Sequence, residues 1–548
     1  MEEGTLTWRG EVPYNTHFED VYYSVEDGLE ESRHVYLDGV GLAELAQSKD
    51  ALVRIGELGF GTGLNFLATT QQWLLSPDAP VLHYVSIEKH PISVADIQRA
   101  HQNFPQIADL SARLSACLPT RLSGLQRCWF TDNIVLDVWF GDVSEVLPEL
   151  TESFNAWYLD GFSPKTNPEM FDHGVCQHLA RLSAPNARVA TFSVAGMVRR
   201  NLMEAGFDVA KVAGFGRKSQ CLQAKFNRQK TYFQKNKKNV AIIGAGIAGA
   251  SCAEQCARLG HQVTVFSAEE KHASAVPVAS VAPRLSATVS SRGGEVARCF
   301  AYAMQYYRNY PEVIIAEGAM KIPSVAFSLA RLQSACTNWR GLGSYAAQMY
   351  SADQARSLAG VAIETEAQYI PTALSLDTDK ILKLLLQDSR QIKTNIISYA
   401  RNNTGWTLLD ASGKSYSGFD AVIVAAGSRI CELMPDLEPI IQVKPSTICY
   451  LSSASPPKIA LSGWGGHLLP SGSGFWLGQQ TYGEDICQRW NIEGEAKQDW
   501  SAEKLSIRDH WPLYGTVEGQ EGLYILAGAG GHGYTVMPLL ASHVALMV

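Results

Sequence analysis

Two stretches of the chain share one pattern of apolar and polar residues. Residues 51–73 read ALVRIGELGFGTGLNFLATTQQW, and residues 239–260 read NVAIIGAGIAGASCAEQCARLG. In both, a short β-branched apolar run is followed by a glycine-rich turn and then by apolar residues at helical spacing. Each stretch therefore predicts a buried strand that turns tightly into a helix, as in nucleotide-binding βα units.

Further apolar runs follow the first turn and alternate with helical patterns. They read LHYVSIEK, LDVWFGD, AWYLDGF and ARVATFS. Strands that alternate with helices indicate βαβ units and a parallel, doubly wound sheet. We therefore expect the N-terminal domain to have an α/β, Rossmann-like fold.

The second half opens in the same way but later becomes rich in strand patterns, such as GFDAVIVAAGS and SGFWLGQQTYG. This mixture predicts a nucleotide-binding domain interleaved with an antiparallel β substrate subdomain. The polar, basic stretch AKFNRQKTYFQKNKKN separates the two halves and has no apolar face. We accordingly expect domains at residues 1–226 and 239–548, joined by a basic linker at residues 227–238.

Composition narrows the class of protein. Of 548 residues, 46% are hydrophobic and 18% charged, which is ordinary for a globular protein. No apolar run approaches the roughly 20 residues that cross a bilayer, and the acidic N-terminus does not resemble a secretory signal. The eleven cysteines are scattered, without a CxxC pair or a zinc-like spacing. We expect a cytoplasmic protein without a structural metal.

Charge is unevenly distributed along the chain. The net charge is −8, but between Arg188 and Lys238 twelve Lys and Arg residues face only two acids. A solvated linker and a phosphate-contacting strip both explain this excess. The candidate nucleic-acid-binding residues are Arg199, Arg200, Arg217, Lys218, Lys235, Lys237 and Lys238.

The first glycine turn has acidic residues at the positions that an adenosine ligand requires. Gly59, Gly61 and Gly63 allow a tight turn and a close approach of backbone to ligand. Glu57 precedes them, Glu88 ends the next strand and Asp142 follows a third, where carboxylates can bind ribose hydroxyls and an adenine amino group. A glycine turn alone is a weak signal, but three acidic strand ends in this order favour S-adenosylmethionine over NAD.

The second glycine turn is a full GxGxxG formed by Gly244, Gly246 and Gly249 between a strand and a helix. This context places the unpaired N–H groups of a helix N-terminus against a pyrophosphate, so we expect a dinucleotide. Residues 420–428 (DAVIVAAGS) resemble a second flavoprotein motif. Residues 508–512 (RDHWP) and 528–533 (GAGGHG) resemble the closing segment of D-amino-acid-oxidase-like flavoenzymes. The cofactor-binding candidates in these segments are Gly427, Gly528, Gly530 and Gly533.

Several blocks of the first half together resemble one family, the bifunctional tRNA 5-methylaminomethyl-2-thiouridine biosynthesis proteins. The resemblance covers nearly all of residues 5–225 and includes loops that have no generic folding reason to match. The blocks are DVYYS (20–24), GLEE (28–31), GFGTGLNF (59–66), LDGFSP (159–164) and GFGRK (214–218). They add Asn65 to the cofactor-binding candidates and Asp160 to the catalytic ones.

The resemblance implies two activities on a modified wobble uridine of tRNA. An FAD-dependent oxidase removes a carboxymethyl group from the uridine's amine, and a methyltransferase then methylates that amine. The amine must be neutral to attack a sulfonium methyl, and Asp160 could accept its proton. Arg508 could grip the substrate's carboxylate, or it could pair with neighbouring Asp509.

Departures from the family pattern lie in the second half. Ser267 stands where flavin folds usually carry an acid for the ribose, and Glu269 is the nearest candidate to replace it. The following stretch, ASAVPVASVAPRLS, lacks the family's glycines. Two alternatives therefore stay open: the same two enzymes acting on a small-molecule amine, and a tRNA-binding protein with a degenerate flavin domain.

Overall fold

The computed structural model describes residues 6–118, 120–216, 218–227, 236–268, 272–324, 327–463, 466–479 and 486–548. The chain forms two compact units, Met1–Asn236 and Lys237–Val548. Each unit has its own sheets and its own core.

The first unit is built on an eight-stranded sheet in the order β10-β11-β9-β8-β4-β5-β7-β6. A small antiparallel sheet, β1-β2-β3, precedes it. The five central strands, from β9 to β7, run parallel, whereas β6 and the β10–β11 pair are antiparallel edges. The strands are β1 Leu6–Arg9, β2 Val12–Asn15, β3 Asp20–Val21, β4 Leu52–Leu58, β5 Val81–Glu88, β6 Gly124–Thr131, β7 Ile134–Phe140, β8 Phe154–Leu159, β9 Ser183–Thr191, β10 Phe207–Ala213 and β11 Gln220–Phe226.

Strand β4 explains where the site of this unit lies. All seven of its residues are buried, because apolar side chains cover both faces of a parallel sheet. Its two neighbours, β5 and β8, lead to opposite halves of the sheet, so their carboxyl ends flank a topological switch point where such folds bind ligands. The helices are α1 Gly28–Glu31, α2 Asp38–Val40, α3 Leu42–Leu45, α4 Leu64–Trp73, α5 Val94–His101, α6 Ala108–Cys117, α7 Val143–Glu149, α8 His173–Leu182 and α9 Gly196–Glu204.

The second unit contains a six-stranded sheet in the order β18-β13-β12-β22-β29-β28. Five strands run parallel, and β28 adds an antiparallel edge. The strands are β12 Asn239–Ile243, β13 Gln262–Ser267, β18 Arg390–Lys393, β22 Ala421–Val424, β28 Leu513–Thr516 and β29 Leu523–Ala527. The sequence motif at residues 420–428 is thus a strand beside β12, as its resemblance to a flavoprotein motif implies.

A larger, mostly antiparallel sheet completes the second unit, in the order β14-β17-β15-β24-β25-β26-β23-β27, with β16 paired to β17. This confirms the expected antiparallel subdomain. Its strands are β14 Val278–Val281, β15 Ile314–Lys321, β16 Gln348–Tyr350, β17 Ala367–Asp377, β23 Ile441–Ser452, β24 Ala460–Gly463, β25 Gly466–Ser471, β26 Gly474–Gln479 and β27 Glu495–Ile507, and a separate small sheet holds β19 Ile396–Asn402, β20 Gly405–Asp410 and β21 Ser415–Phe419.

Helices cover the faces of these sheets. Cys252 and Cys256 are fully buried on α10, where they pack as small apolar side chains. Within the described part of the chain, no helix is long and apolar enough to cross a membrane. The helices are α10 Ile247–Arg258, α11 Ser291–Arg308, α12 Leu329–Asn338, α13 Ala352–Ala359, α14 Thr378–Leu386, α15 Ile430–Leu433, α16 Ile486–Arg489 and α17 Gly533–Met547.

Candidate functional site

A cavity of about 390 Å³ opens at the carboxyl ends of the parallel strands in the first unit. This is within the size range of pockets that hold drug-sized ligands. The structure brings most of the first set of predicted site residues to its wall. They are Gly59, Gly61, Asn65, Glu88, Asp142 and Asp160.

The glycine turn has left-handed backbone at Gly59, Gly61 and Gly63. Gly59 has a φ of +92°, and a Cβ there would lie 3.2 Å from the main-chain oxygen of Asp160. Gly63 has a φ of +81° and caps the N-terminus of α4. The turn therefore brings the first residues of α4 next to the end of β8, where Asp160 lies.

Glu57 lies behind the cavity rather than at its wall. Only 1% of it is exposed, and its carboxyl group accepts hydrogen bonds from Asn65 Nδ2 (3.0 Å) and Ser86 Oγ (2.7 Å). Burial raises the pKa of this carboxyl to about 8. Its connection to the cavity runs through Asn65, because strand alternation turns the Glu57 side chain into the core.

Each carboxylate oxygen of Asp160 accepts a hydrogen bond from a different donor. Its Oδ1 accepts from the Gly161 N–H (2.8 Å), and its Oδ2 accepts from Asn65 Nδ2 (2.8 Å). Desolvation at the cavity wall raises the pKa of Asp160 to about 6, although the hydrogen bonds from Gly161 and from the Tyr36 hydroxyl oppose the shift. The group is thus a carboxylate at neutral pH that can take up a proton one pH unit lower.

The two other carboxylates are anchored by their own neighbours. Glu88 accepts from the Gly61 N–H (2.8 Å), which ties β5 to the glycine turn. Asp142 caps α7 by accepting from the Ser144 N–H (2.8 Å), and it pairs with Lys89 at 2.7 Å. Burial alone would raise the pKa of Asp142, but the bonds from Lys89 and Ser144 outweigh it and hold the pKa at about 2. Each carboxylate keeps free lone pairs that could accept ligand hydroxyl or amino groups.

Aromatic residues form another part of the cavity wall, and two of them, Phe18 and Phe162, were not predicted as site residues from the sequence. Phe18 stacks on Phe162 with ring centroids 4.6 Å apart, and Tyr22 meets Phe162 edge-on at 5.2 Å. Lys218, a predicted nucleic-acid-binding residue, lines the cavity, where it pairs with Glu31 at 3.3 Å. The blocks DVYYS and LDGFSP contain or adjoin these aromatic residues. The resemblance of these blocks to the family was therefore the sequence signal that could have identified the aromatic wall.

A second, smaller cavity of about 180 Å³ lies at the carboxyl ends of β12 and β22 in the second unit. Gly249 is not in its wall but allows it to form, because a Cβ there would lie 1.9 Å from the main-chain oxygen of Gly244. This is the close strand-to-helix packing that a dinucleotide turn requires. The predicted glycines in the cavity wall are Gly244, Gly246, Gly427, Gly528, Gly530 and Gly533.

These residues fit a bound flavin dinucleotide. Gly246 starts α10, a twelve-residue helix whose first amides face the cavity end of the turn. Ser267 lines the cavity where an acid is usual, whereas Glu269 lies outside the described residues. His532 Nε2 is buried and has no hydrogen-bond partner in the described part of the chain, beside glycines that line the cavity. A bound ligand would supply that partner.

Arg508 does not reach this cavity. It lies one residue beyond β27 on an exposed turn, and it is not in the cavity wall. The neighbouring Asp509 pairs with Arg292 at 3.4 Å, so the structural pairing considered for Arg508 and Asp509 is not formed.

The large sheet instead brings other cations together. Lys321 on β15 pairs with Ser462, which pairs with His467 on β25, so Lys321 and His467 share one face of the sheet. The positive charges of Lys504 and Arg284 lie close enough to act on His467. Burial, reinforced by Arg284, lowers the pKa of Lys321 to about 8, and burial, reinforced by Lys504 and Arg284, lowers that of His467 to about 4. We call the three cations Arg284, Lys321 and Lys504, together with His467 and His532, which their lowered pKa values leave neutral at pH 7, the cationic cluster.

His532 links the cationic cluster to the second cavity. Burial is the main cause that lowers its pKa to about 3, and the charges of Arg284, Lys321 and Lys504 add to it. The cluster thus adjoins the segment that contributes Gly530 and Gly533 to the cavity wall.

The predicted basic segment is only partly free to meet a polyanion. Arg199 and Arg200 are exposed on α9, and Lys237 is also exposed. Lys238 is half-buried and donates through Nζ to the main-chain oxygen of Val548. Arg217 and Lys235 lie outside the described residues. Among those described, no group of three or more His, Cys, Asp and Glu side chains could hold a metal ion.

Family comparisons assign a class to each half. A family described as S-adenosyl-L-methionine-dependent methyltransferase matches residues 105–227, and one described as FAD dependent oxidoreductase matches residues 239–547. The chain therefore joins a methyltransferase that uses S-adenosylmethionine to an oxidoreductase that uses FAD. Both expected cofactors are confirmed.

Full-length relatives identify the family. The tRNA 5-methylaminomethyl-2-thiouridine biosynthesis bifunctional protein of Magnetococcus marinus is 31% identical over 99% of this chain and 93% of its own. The protein of the same name from Caulobacter sp. (strain K31) is 32% identical over 99% of this chain and 94% of its own. The chain belongs to this family of bifunctional enzymes, as its sequence blocks predict. The solved glycine oxidase of Geobacillus kaustophilus aligns with 57% of this chain and 94% of its own at 17% identity and a TM-score of 0.47.

Proposed function

We propose that the chain modifies the wobble uridine of tRNA in two steps, each in one unit. The second unit removes the carboxymethyl group from 5-carboxymethylaminomethyluridine, with or without a 2-thio group. The first unit then methylates the resulting primary amine. Membership of the family supports this substrate, and the presence of two separate nucleotide cavities supports the two-step reaction.

The single observation that carries the methyl-transfer step is the position of Asp160 at the cavity wall beside the glycine turn. S-adenosylmethionine supplies an electrophilic methyl group, and the incoming amine must present a free lone pair to it. Asp160, unprotonated above a pKa of about 6, can accept the proton that the amine loses. Asn65, Gly161 and Tyr36 hold the carboxylate and fix the direction from which it meets the amine.

The other predicted residues of this cavity are proposed to bind the methyl donor. Gly59, Gly61 and Gly63 let the chain approach it, and Glu88 and Asp142 present carboxylate oxygens to its ribose and adenine. Glu57 is assigned an indirect role, because its carboxyl contacts Asn65 rather than the cavity.

The oxidative step requires recognition of an N-substituted glycine. FAD supplies the hydride acceptor for oxidation of the carbon next to nitrogen, after which hydrolysis removes the carboxymethyl group. The substrate's carboxylate needs a cationic partner, and we assign Lys504 and Lys321 of the cationic cluster to it. Arg508, predicted from sequence for the same role, lies on an exposed turn outside the dinucleotide cavity, and the comparison of variants below decides between it and the lysines.

Mass spectrometry of wobble nucleosides tests the whole proposal. The purified chain is incubated with tRNA rich in carboxymethylaminomethyluridine, with and without S-adenosylmethionine. We expect aminomethyluridine without the donor and methylaminomethyluridine with it. Conversion of a free small-molecule amine, with no change in the tRNA nucleosides, would contradict the proposal and favour the small-molecule alternative.

Lys504→Gln and Arg508→Gln form a matched pair for the carboxylate assignment. We expect the KM for the carboxymethyl substrate to rise about tenfold or more in the Lys504 variant, since one charge-assisted hydrogen bond contributes about 1.5–3 kcal/mol. The KM of the Arg508 variant is expected to stay within about twofold of wild type, as for a surface change. The reverse ranking would restore the role predicted for Arg508 from sequence.

A further inference from the structure

A lysine of the chain places its own ammonium group in the cavity of the first unit. Lys218 Nζ lies 3.3 Å from Oε1 of Glu31 and 4.2 Å from the centroid of the Phe192 ring. All three residues line the cavity. A carboxylate and an aromatic face are groups with which proteins bind ammonium ions. The wall of this cavity therefore includes a cation-binding position, and Lys218 occupies it in this structure.

This position lies beside Asp160. Asp160 is the first residue after β8, and Phe192 is the first residue after β9. The two strands are parallel neighbours, about 4.8 Å apart, with Tyr158 opposite Ala190. Two residues further on, the same register sets Asp160 beside Phe192. The negative charge of Glu31 reaches Asp160 as well, where it adds to desolvation in raising the pKa of that carboxyl. The cation-binding position is thus next to the carboxylate that is proposed to accept the amine's proton.

Glu31 is held in place more firmly than Lys218. The Glu31 side chain is 13% exposed, and its Oε2 accepts a hydrogen bond from the Ser24 N–H at 2.9 Å. The Lys218 side chain is 52% exposed and reaches the cavity on a flexible stem. An ion pair with one exposed partner is weak, so a second ammonium group can displace the lysine while the carboxylate stays.

The substrate of methyl transfer carries the same functional group as Lys218. A primary alkylamine is mostly protonated at neutral pH, and it then has three N–H donors, as a lysine has. In the reaction, the ammonium group gives one proton to Asp160, and its nitrogen lone pair forms a bond to the methyl carbon as the carbon–sulfur bond breaks toward sulfur. The positive charge of the sulfonium thereby passes to the nitrogen. A carboxylate that faces this nitrogen stabilises the bound ammonium and the charge that develops on it.

We propose that Glu31 and Phe192 bind the ammonium group of the wobble uridine for methyl transfer, and that Lys218 occupies this position until the substrate displaces it. The inference rests on the proposed function, because it takes 5-aminomethyluridine in tRNA as the acceptor. Glu31 selects a charged amine, since unmodified uridine offers it no cation. Asp160 receives the proton, whereas Glu31 keeps the nitrogen in position.

The charge selectivity of the methyltransferase site tests this assignment in the full-length chain. Single-turnover methyl transfer gives the half-saturation concentration for tRNA that contains aminomethyluridine, and the same tRNA with an unmodified uridine is titrated as a competitive inhibitor. We define charge selectivity as the inhibition constant divided by the half-saturation concentration. The backbones of the two tRNAs are identical, so their contacts cancel in this ratio, including any phosphate contact made by Lys218.

Three variants are expected to give distinct results. Glu31→Gln should lower the charge selectivity about tenfold or more, since it removes a charge-assisted hydrogen bond but keeps an acceptor for the Ser24 N–H. Lys218→Met should raise it about twofold to fivefold, because the substrate no longer competes with an exposed ion pair. Glu30→Gln is the matched control, since Glu30 is exposed, pairs with Arg33 and is not in the cavity wall. Its selectivity should stay within about twofold of wild type.

The direction of the changes separates substrate binding from a structural role. An ion pair that only stabilises the fold would shift both variants the same way, so lower selectivity in Glu31→Gln and Lys218→Met alike would overturn the proposal. Unchanged selectivity in either of these variants, or an equal loss in Glu30→Gln, would also overturn it. Absence of methyl transfer from wild type to aminomethyluridine-containing tRNA would instead contradict the proposed function itself.

Discussion

Asp160 shows how one side chain acquires its chemistry from its surroundings. Desolvation raises its pKa to about 6, so it is charged at pH 7 and protonated at pH 5. Methyl transfer that needs the carboxylate form should therefore lose rate as the pH falls through 6. The pH–rate profile of single-turnover methylation of aminomethyluridine-containing tRNA, measured between pH 5 and 8, tests this expected fall in rate.

Asp160→Asn removes the charge at nearly constant size and provides the control for the acidic part of that pH–rate profile. We expect the rate at pH 7.5 to fall by about 100-fold or more, and the inflection near pH 6 to disappear. Flavin binding should be retained. The same inflection in the Asp160→Asn variant would assign the titration to another group.

Glu57 has the opposite status, a carboxyl that stays protonated at neutral pH because it is buried. Its folded-state pKa of about 8 exceeds its usual 4.5, so the unfolded chain binds fewer protons between these values. Wild-type stability should thus fall as the pH rises from 4.5 to 8, by of the order of 1 kcal/mol per unit. Glu57→Gln should remove this dependence. Hydrogen exchange of peptides from β4 at pH 5 and 8 compares the two, and parallel pH dependences would contradict the assignment.

At the residue scale, the sequence predicted which residues belong to the site better than it predicted where their side chains project. Glycines and acidic residues at strand ends were recognisable because their spacing follows from βα geometry. Whether a side chain projects into the cavity depends on packing, as Glu57 illustrates. Arg508 follows Ile507, the last residue of β27, and is exposed, so strand alternation could not predict the direction of its side chain.

Helix α10 is an element whose position depends on one missing side chain. An alanine Cβ at Gly249 would lie 1.9 Å from the main-chain oxygen of Gly244, so Gly249→Ala must displace the helix from β12. We expect loss of bound flavin, measured as the ratio of absorbance at the flavin and protein bands. Gly531→Ala is the matched control, because a Cβ there meets nothing within 4 Å. Flavin retained by the Gly249 variant would show that the turn can relax.

The sequence predicted elements well where their contacts are local. Buried parallel strands are recognisable in the sequence as short apolar runs between turn residues. The β23–β27 ladder was not predictable in the same way, because its partners are far apart in the chain and its outer face is polar. Lys444 of β23 and Lys504 of β27 are directly opposed in that ladder, and this opposition follows from its register.

At the scale of the whole molecule, each unit has its own core and its own cavity. Lesions in one unit should therefore leave the chemistry of the other intact. In cells lacking the native protein, Asp160→Ala should accumulate aminomethyluridine, whereas Lys504→Gln should accumulate carboxymethylaminomethyluridine. Mass spectrometry of wobble nucleosides distinguishes the two. Accumulation of the same nucleoside by both variants would mean that the steps are not separable.

The opposed lysines of β23 and β27 also determine how a purified sample should behave on storage. A multivalent anion that binds the folded chain between them, and has no site on the unfolded chain, shifts the folding equilibrium by mass action; at about 100 times its Kd the gain is about 2.7 kcal/mol. Sulfate or pyrophosphate should thus raise the melting temperature of the flavin-containing unit above its value in chloride at equal ionic strength. The difference in melting temperature between the two salts therefore reports on that pair of charges. Lys444→Gln should remove much of this difference.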